Sequence, residues 1–281
     1  MKTALTTLFL LVISAFAFSQ ANDSGLEKTV SGPSFSTSRK SNFSGFIGQN
    51  ENTIFAIDYL SINRKKQELQ LRRFHATDLQ LIDSKELFTV INENFYNEPN
   101  EIFFQNNTIY LFSTLSGLKD KYNMIYLEIF NEYGEKTQEG VIDTIQIDEK
   151  YYLAESIEKD GFLIATHNKY ENIFDQTIGL RALDQGGNTL WEKSVKSPVA
   201  IQNMTIEQVH YSTEAPLFIL CNYGFDRGGS VRENNTDLLN NKYALWAYDP
   251  EKEFLKEFDL RIKNRWMNGV ALAYNSDKDL I

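Results

Sequence analysis

The feature that most constrains this chain is a repeat. Four apolar runs begin at Ile54, Ile109, Phe162 and Leu217, at spacings of 55, 53 and 55 residues. A fixed period of this size marks a chain built from one supersecondary unit copied along its length, each copy burying its apolar faces against its neighbours. The pairs Asn52-Thr53, Asn107-Thr108, Asp160-Gly161 and Ala215-Pro216 stand directly before the four runs. Such residues favour tight turns.

A second, independent register supports the first. An apolar residue is followed by a polar one at Phe74-His75, Phe130-Asn131, Leu183-Asp184 and Tyr248-Asp249, with spacings of 56, 53 and 65, the last containing an insertion. Each pair lies in a strand-turn-strand stretch, at residues 69–81, 124–137, 177–194 and 243–258. The clearest is 177–194, where Ile178, Leu180 and Leu183 lead into Gly186-Gly187, with Leu190 and Trp191 beyond. This pattern reads as a β-hairpin.

The unit is therefore an opening strand, a short polar turn, a nearly all-apolar strand, a variable loop and a hairpin. Apolar character on both faces of the middle strands is expected of a sheet covered on both sides. The expected fold is all-β, a β-propeller over residues 43–281 with four complete four-stranded blades and the start of a fifth. A stacked β-sandwich pair would need strand registers alternating between two sheets. Leu79, Ile82, Leu87 and Ile91 offer a helical alternative for residues 78–95.

Residues 270–280 can be laid over 207–217, with Tyr274 and Leu280 each 63 residues after Tyr211 and Leu217. On that register the chain is a fragment of a larger propeller, or the Ser-rich arm at 20–42 closes an unusual five-bladed ring. The fragment reading predicts association through an open blade edge.

At 42% hydrophobic and 13% aromatic, the chain can bury a sizeable core. Its net charge of −10 opposes nucleic acid and anionic lipid as general partners. The start carries Lys2, an apolar run over 4–18, and small residues at Ala15, Ala17 and Ser19. That is the pattern of a cleavable signal peptide over 1–19. The expected address is outside the cytoplasm: periplasm, cell surface or secreted. No later run has the length of a membrane helix, so no transmembrane segment is expected in the mature chain. Cys221 is the only cysteine, so no intramolecular disulfide forms, and its apolar surroundings predict a small buried hydrophobe.

The segment 182–191 resembles the repeat of quinoprotein-type propellers through Leu183, Asp184, Gly187 and Trp191. The resemblance covers one unit of four and implies an exported bacterial propeller in which the Trp and Gly are packing residues. The quinone-dependent members use an adjacent cysteine pair, which this chain lacks, so no cofactor is implied. The same segment is similar to the Asp-box of sialidase-like propellers through Asp184 and Gly186, with Ala182 in place of the Ser. In that family the box is a turn lock, not an active site.

No catalytic set is recognisable. His75, His167 and His210 lie in three different units, and clustered metal ligands are absent. Gly224 and Gly228-Gly229 lack the strand-to-helix context of phosphate-binding loops. What varies between units is the loop after each apolar strand, at 61–67, 115–123, 167–176 and 223–241. Function concentrates on such loops. The candidate binding residues are accordingly Lys65, Lys119, His167, Tyr170, Glu171, Phe225, Asp226, Arg227 and Arg232.

The expected function is a non-catalytic module presenting these loops to a protein or glycan partner at the cell envelope. The alternative is a secreted polysaccharide hydrolase or lyase with carboxylates gathered at the propeller axis. A pair of axial carboxylates roughly 5 to 10 Å apart would favour the enzyme, and an apolar or mixed axis would favour binding.

Overall fold

A computed structural model describes residues 41–63, 66–87, 95–117, 121–147, 149–168, 177–196, 204–214, 216–223, 242–260 and 270–272. The expected signal-peptide span 1–19 and the expected arm up to residue 40 lie outside them. Each repeat unit forms one antiparallel sheet whose strands pair in chain order from the inner to the outer edge. Blade 1 holds β1 (Ser41–Gln49), β2 (Thr53–Asn63), β3 (Lys66–His75) and β4 (Leu81–Leu87). Blade 2 holds β5 (Phe95–Gln105), β6 (Thr108–Gly117), β7 (Tyr122–Asn131) and β8 (Lys136–Gln146). Blade 3 holds β9 (Glu149–Glu155), β10 (Gly161–Asn168), β11 (Thr177–Asp184) and β12 (Thr189–Lys196). Blade 4 holds β13 (Met204–His210), β14 (Leu217–Tyr223), β15 (Lys242–Asp249) and β16 (Phe254–Asp259). The first strand starts two residues before the expected boundary, and Leu81–Leu87 is a strand paired to β3, not a helix.

The apolar runs are β2, β6, β10 and β14, and their two-residue alternation assigns each face to a different neighbour. On β6, Ile109 and Leu111 join Phe55, Ile57, Leu69 and Leu71 of blade 1. Tyr110 and Phe112 turn the other way, onto Phe162 and Ile164 of blade 3. On β10, Leu163 and Ala165 face Ile219, Cys221 and Trp246 of blade 4. Each sheet thus packs face to face on the next, and the innermost strands run side by side, β1 with β5 and β9 with β13. Four four-stranded blades arranged this way form a β-propeller. No helix occurs among the described residues.

The polar half of the hairpin register locks the outer turns. Asp184 Oδ1 accepts from the Asn188 backbone N–H at 2.8 Å, and Gly187 closes the turn at φ 78°. Asn131 does the same for the N–H groups of Tyr133 and Glu135, with Gly134 at φ 70°. Asp249 accepts from Glu251 and Lys252. Such side chains satisfy turn N–H groups that the ladder leaves open. A Cβ on Gly187 would stand 2.9 Å from Leu127 Cδ2 of the preceding blade, so this glycine also permits close packing between blades. Trp191 lies edge-on to the Tyr211 ring, with centroids 6.4 Å apart.

A polar girdle ties the short turns of one blade to the next. Asn50 donates to Asn107 and Glu132 at 3.3 and 2.9 Å. Asn106 donates to the Lys159 carbonyl at 3.1 Å, and Ser212 donates to Glu158 at 2.8 Å. Cys221 is fully buried, as its apolar surroundings predict, and burial pushes its thiol well above the ordinary range. Inside blade 1, Asp58 and Arg72 form a buried ion pair at 2.6 Å.

Candidate functional site: an axial pocket

The inner strands carry fewer apolar residues than β2, β6, β10 and β14 because one side of each is turned toward the axis. Three of them are also bulged, β1 at two places and β5 and β13 at one each. The register of β5 against β6 shifts between Pro99 and Glu101, leaving Asn100 as the extra residue, and that of β13 against β14 shifts between Ile206 and Gln208, leaving Glu207. A bulge re-aims a side chain and bends its strand, and bulges gather beside functional sites. Here both extra residues line one pocket of about 310 Å³, together with Glu101, Tyr151, Tyr152, Leu153, Gln208, Val209 and His210. Three blades contribute, through β5, β9 and β13.

Pairing places three of these residues at one level. Glu101 pairs with Phe112, Tyr152 with Ala165 and Gln208 with Leu220, each the fourth residue of an apolar run. The floor is preorganised by hydrogen bonds. The Tyr151 hydroxyl lies 2.9 Å from Thr114 Oγ1, which donates to Asn100 Oδ1 at 3.1 Å. The Tyr152 hydroxyl is anchored on the backbone of Ile206. Asn222 donates to Glu207 Oε1 at 3.3 Å, and Gln208 Oε1 accepts from the Leu272 N–H at 2.8 Å, so residue 272 runs beside β13.

Partial desolvation raises the Glu101 carboxyl above the ordinary carboxylate range. Burial, with the nearby charges of Glu101 and Glu98, pushes the Tyr151 hydroxyl up to about 12. Burial lowers His210 against the opposing effect of a hydrogen bond with the Leu272 backbone, which leaves its imidazole neutral at pH 7. The pocket wall thus carries two carboxylates, two phenols, two amides and a neutral imidazole, with no Lys or Arg among its described lining residues. The lining is mixed and includes two carboxylates, Glu101 and Glu207.

The loop candidates fare differently. His167 is buried near the end of β10, 4% exposed, and belongs to the blade interior. Lys65, Lys119, Tyr170, Glu171, Phe225, Asp226, Arg227 and Arg232 lie outside the described residues. None of the pocket residues was among the candidates, and a signal for them existed only in the inner-strand register. Among the described residues no group of three or more His, Cys, Asp or Glu could hold a metal ion, and no helix is long and apolar enough to cross a membrane.

No family model matches the chain, and no curated protein matches it. Solved structures similar to it include an endo-arabinanase from Bacillus licheniformis, at 13% identity and TM-score 0.39, covering 84% of this chain and 95% of the arabinanase. A Bacillus subtilis arabinanase is 15% identical at TM-score 0.39, covering 73% of this chain and 70% of the other. A Synechocystis apocarotenoid oxygenase mutant is 13% identical at TM-score 0.40, covering 78% of this chain. The chain spans 48% of that oxygenase. Likeness at this level says nothing of activity, and the fold rests on the strand pairings and blade-to-blade packing above.

Proposed function

We propose that this protein is an exported glycan-binding propeller whose recognition site is the axial pocket. The observation that carries the reading is the convergence of β5, β9 and β13 on one cavity of about 310 Å³ lined by Tyr151, Tyr152, Glu101, Glu207, Asn100, Gln208 and His210. A sugar ring presents apolar C–H faces to aromatic rings and hydroxyls to carboxylates and amides, and this lining offers both in a concave site open to solvent. The variable loops after the apolar strands would extend the contact surface, which keeps Lys119, Tyr170 and Arg227 as candidate contacts.

Calorimetric titration with a panel of soluble oligosaccharides tests the reading. Wild-type protein should bind at least one, and Glu101→Gln or Gln208→Ala should weaken that binding roughly tenfold without changing the melting temperature by more than a few degrees. Unchanged affinity in both variants would move the site off the axis.

Glycan hydrolysis is the second reading, favoured by two carboxylates, Glu101 and Glu207, lining one pocket, with partial desolvation shifting Glu101 upward, the direction a general acid needs. Release of new reducing ends, abolished by Glu101→Gln, would support it. Export rests on Lys2, the apolar run and the small residues before Gln20. Fractionation and amino-terminal sequencing test it, and an intact Met1 on envelope-located protein would count against it. The kinship of blade 3 with quinoprotein-type repeats is proposed for its turn and packing residues alone.

A further inference from the structure

We infer that the axial pocket selects glycans carrying a protonated amine, such as amino sugars with a free amino group, over neutral or acidic ones. The inference rests on the glycan reading above and names its ligand class. Four features of the site point the same way.

Charge comes first. Glu101 and Glu207 enter the pocket from blades 2 and 4, on opposite sides of Tyr151 and Tyr152 from blade 3. Among the described residues no Lys or Arg lines the pocket, and burial keeps His210 neutral at pH 7, so the described lining brings no positive charge. Glu98 adds to the negative field felt by Tyr151. Second, the bulge at Glu207 makes this carboxylate the extra residue of its strand. Such a distortion is retained where it re-aims a side chain.

Third, the phenol rings are fixed. Tyr151 is tied through Thr114 to Asn100 on the blade 2 side and Tyr152 to the Ile206 backbone on the blade 4 side, so each carboxylate-bearing strand, β5 and β13, has one fixed phenol ring beside it. Aromatic faces attract ammonium groups as well as sugar C–H groups, and flanking carboxylates strengthen that attraction. Fourth, a uronic acid would bring its carboxylate toward Glu101, Glu207 and Glu98 with no Lys or Arg among the described lining residues to answer it. A neutral sugar would leave the carboxylates only hydroxyl donors, which replace water at little gain.

The test uses a matched pair that differs in charge: a fully deacetylated glucosamine tetramer and its N-acetylated counterpart, titrated calorimetrically into the full mature chain at pH 7, where His210 is neutral. The deacetylated tetramer should bind about tenfold more tightly, and the preference should shrink as salt rises from about 0.05 to 0.5 M because the attraction is screened. Glu101→Gln and Glu207→Gln together should abolish the preference. Both positions are surface-accessible, so the double variant should melt close to wild type, and Glu207→Gln alone serves if it does not. Equal or tighter binding of the N-acetylated tetramer overturns this inference and leaves the glycan reading standing. Failure of both tetramers and of every neutral oligosaccharide overturns the two together. Preference retained in the carboxamide variants overturns the assignment to these carboxylates.

Discussion

Phe162 offers the most direct probe of blade-on-blade packing. It is fully buried on β10, and its ring meets three aromatic rings of blade 2. The centroids are 5.5 Å from Phe103, 4.7 Å from Tyr110 and 5.2 Å from Phe112. Truncating a buried Phe to Ala costs about 3–5 kcal/mol through lost burial and the cavity left behind. Aromatic pairs add about 0.5–1.5 kcal/mol each beyond area, so three lost pairs put Phe162→Ala at the upper end, near 5 kcal/mol. That is a large share of the roughly 5–15 kcal/mol that holds a domain folded.

Urea denaturation followed by tryptophan fluorescence reads the loss as a lower midpoint at unchanged slope. Leu190→Ala, at a position 53% exposed on β12, is the control and should stay within about 0.5 kcal/mol. Tyr110→Ala combined with Phe162→Ala should be less than additive, by roughly 0.5–3 kcal/mol, because both remove the same contact. A Phe162→Ala loss under about 1 kcal/mol, or strict additivity with Tyr110→Ala, would mean that blades 2 and 3 do not pack face to face as described.

Two further outcomes follow from the turn and the pocket. Gly187→Ala should cost about 1–2 kcal/mol, since φ 78° disfavours a Cβ that would also press on Leu127 and Ile142; Gly140→Ala, where a Cβ meets nothing within 4 Å, should cost far less in the same melt. Stability should fall as pH drops below about 6.5, because the unfolded His210 takes up a proton there while the folded one, its pKa lowered by burial, does not; the unfolded state then binds more protons. His210→Gln should flatten that part of the stability profile, and an unchanged slope would contradict the assignment.

The blades were legible because their signals are local. The runs at Ile54, Ile109, Phe162 and Leu217 each carry apolar residues on both faces, and turn chemistry at Asn131, Asp184 and Asp249 is written in single residues. The pocket was not legible for a geometric reason. Glu101 stands 11 residues before its partner Phe112, Tyr152 13 before Ala165 and Gln208 12 before Leu220. Turn lengths and the bulges at Asn100 and Glu207 slip the count from unit to unit, so residues sharing one level at the axis do not align along the chain. Taken singly, a Glu or a Tyr on a half-polar strand reads as a solvated edge. Loop length, by contrast, is easy to see in a sequence, and it drew attention to His167, which the structure places in the blade interior.

Hydrogen exchange with and without a bound oligosaccharide tests the central claim, that ligand sits at the axis between three blades. Protection should rise together in peptides covering Asn100 and Glu101 on β5, Tyr151 to Leu153 on β9 and Glu207 to His210 on β13, the strands that line the pocket. Protection confined to the loop at 223–241, with the three inner strands unchanged, would contradict it.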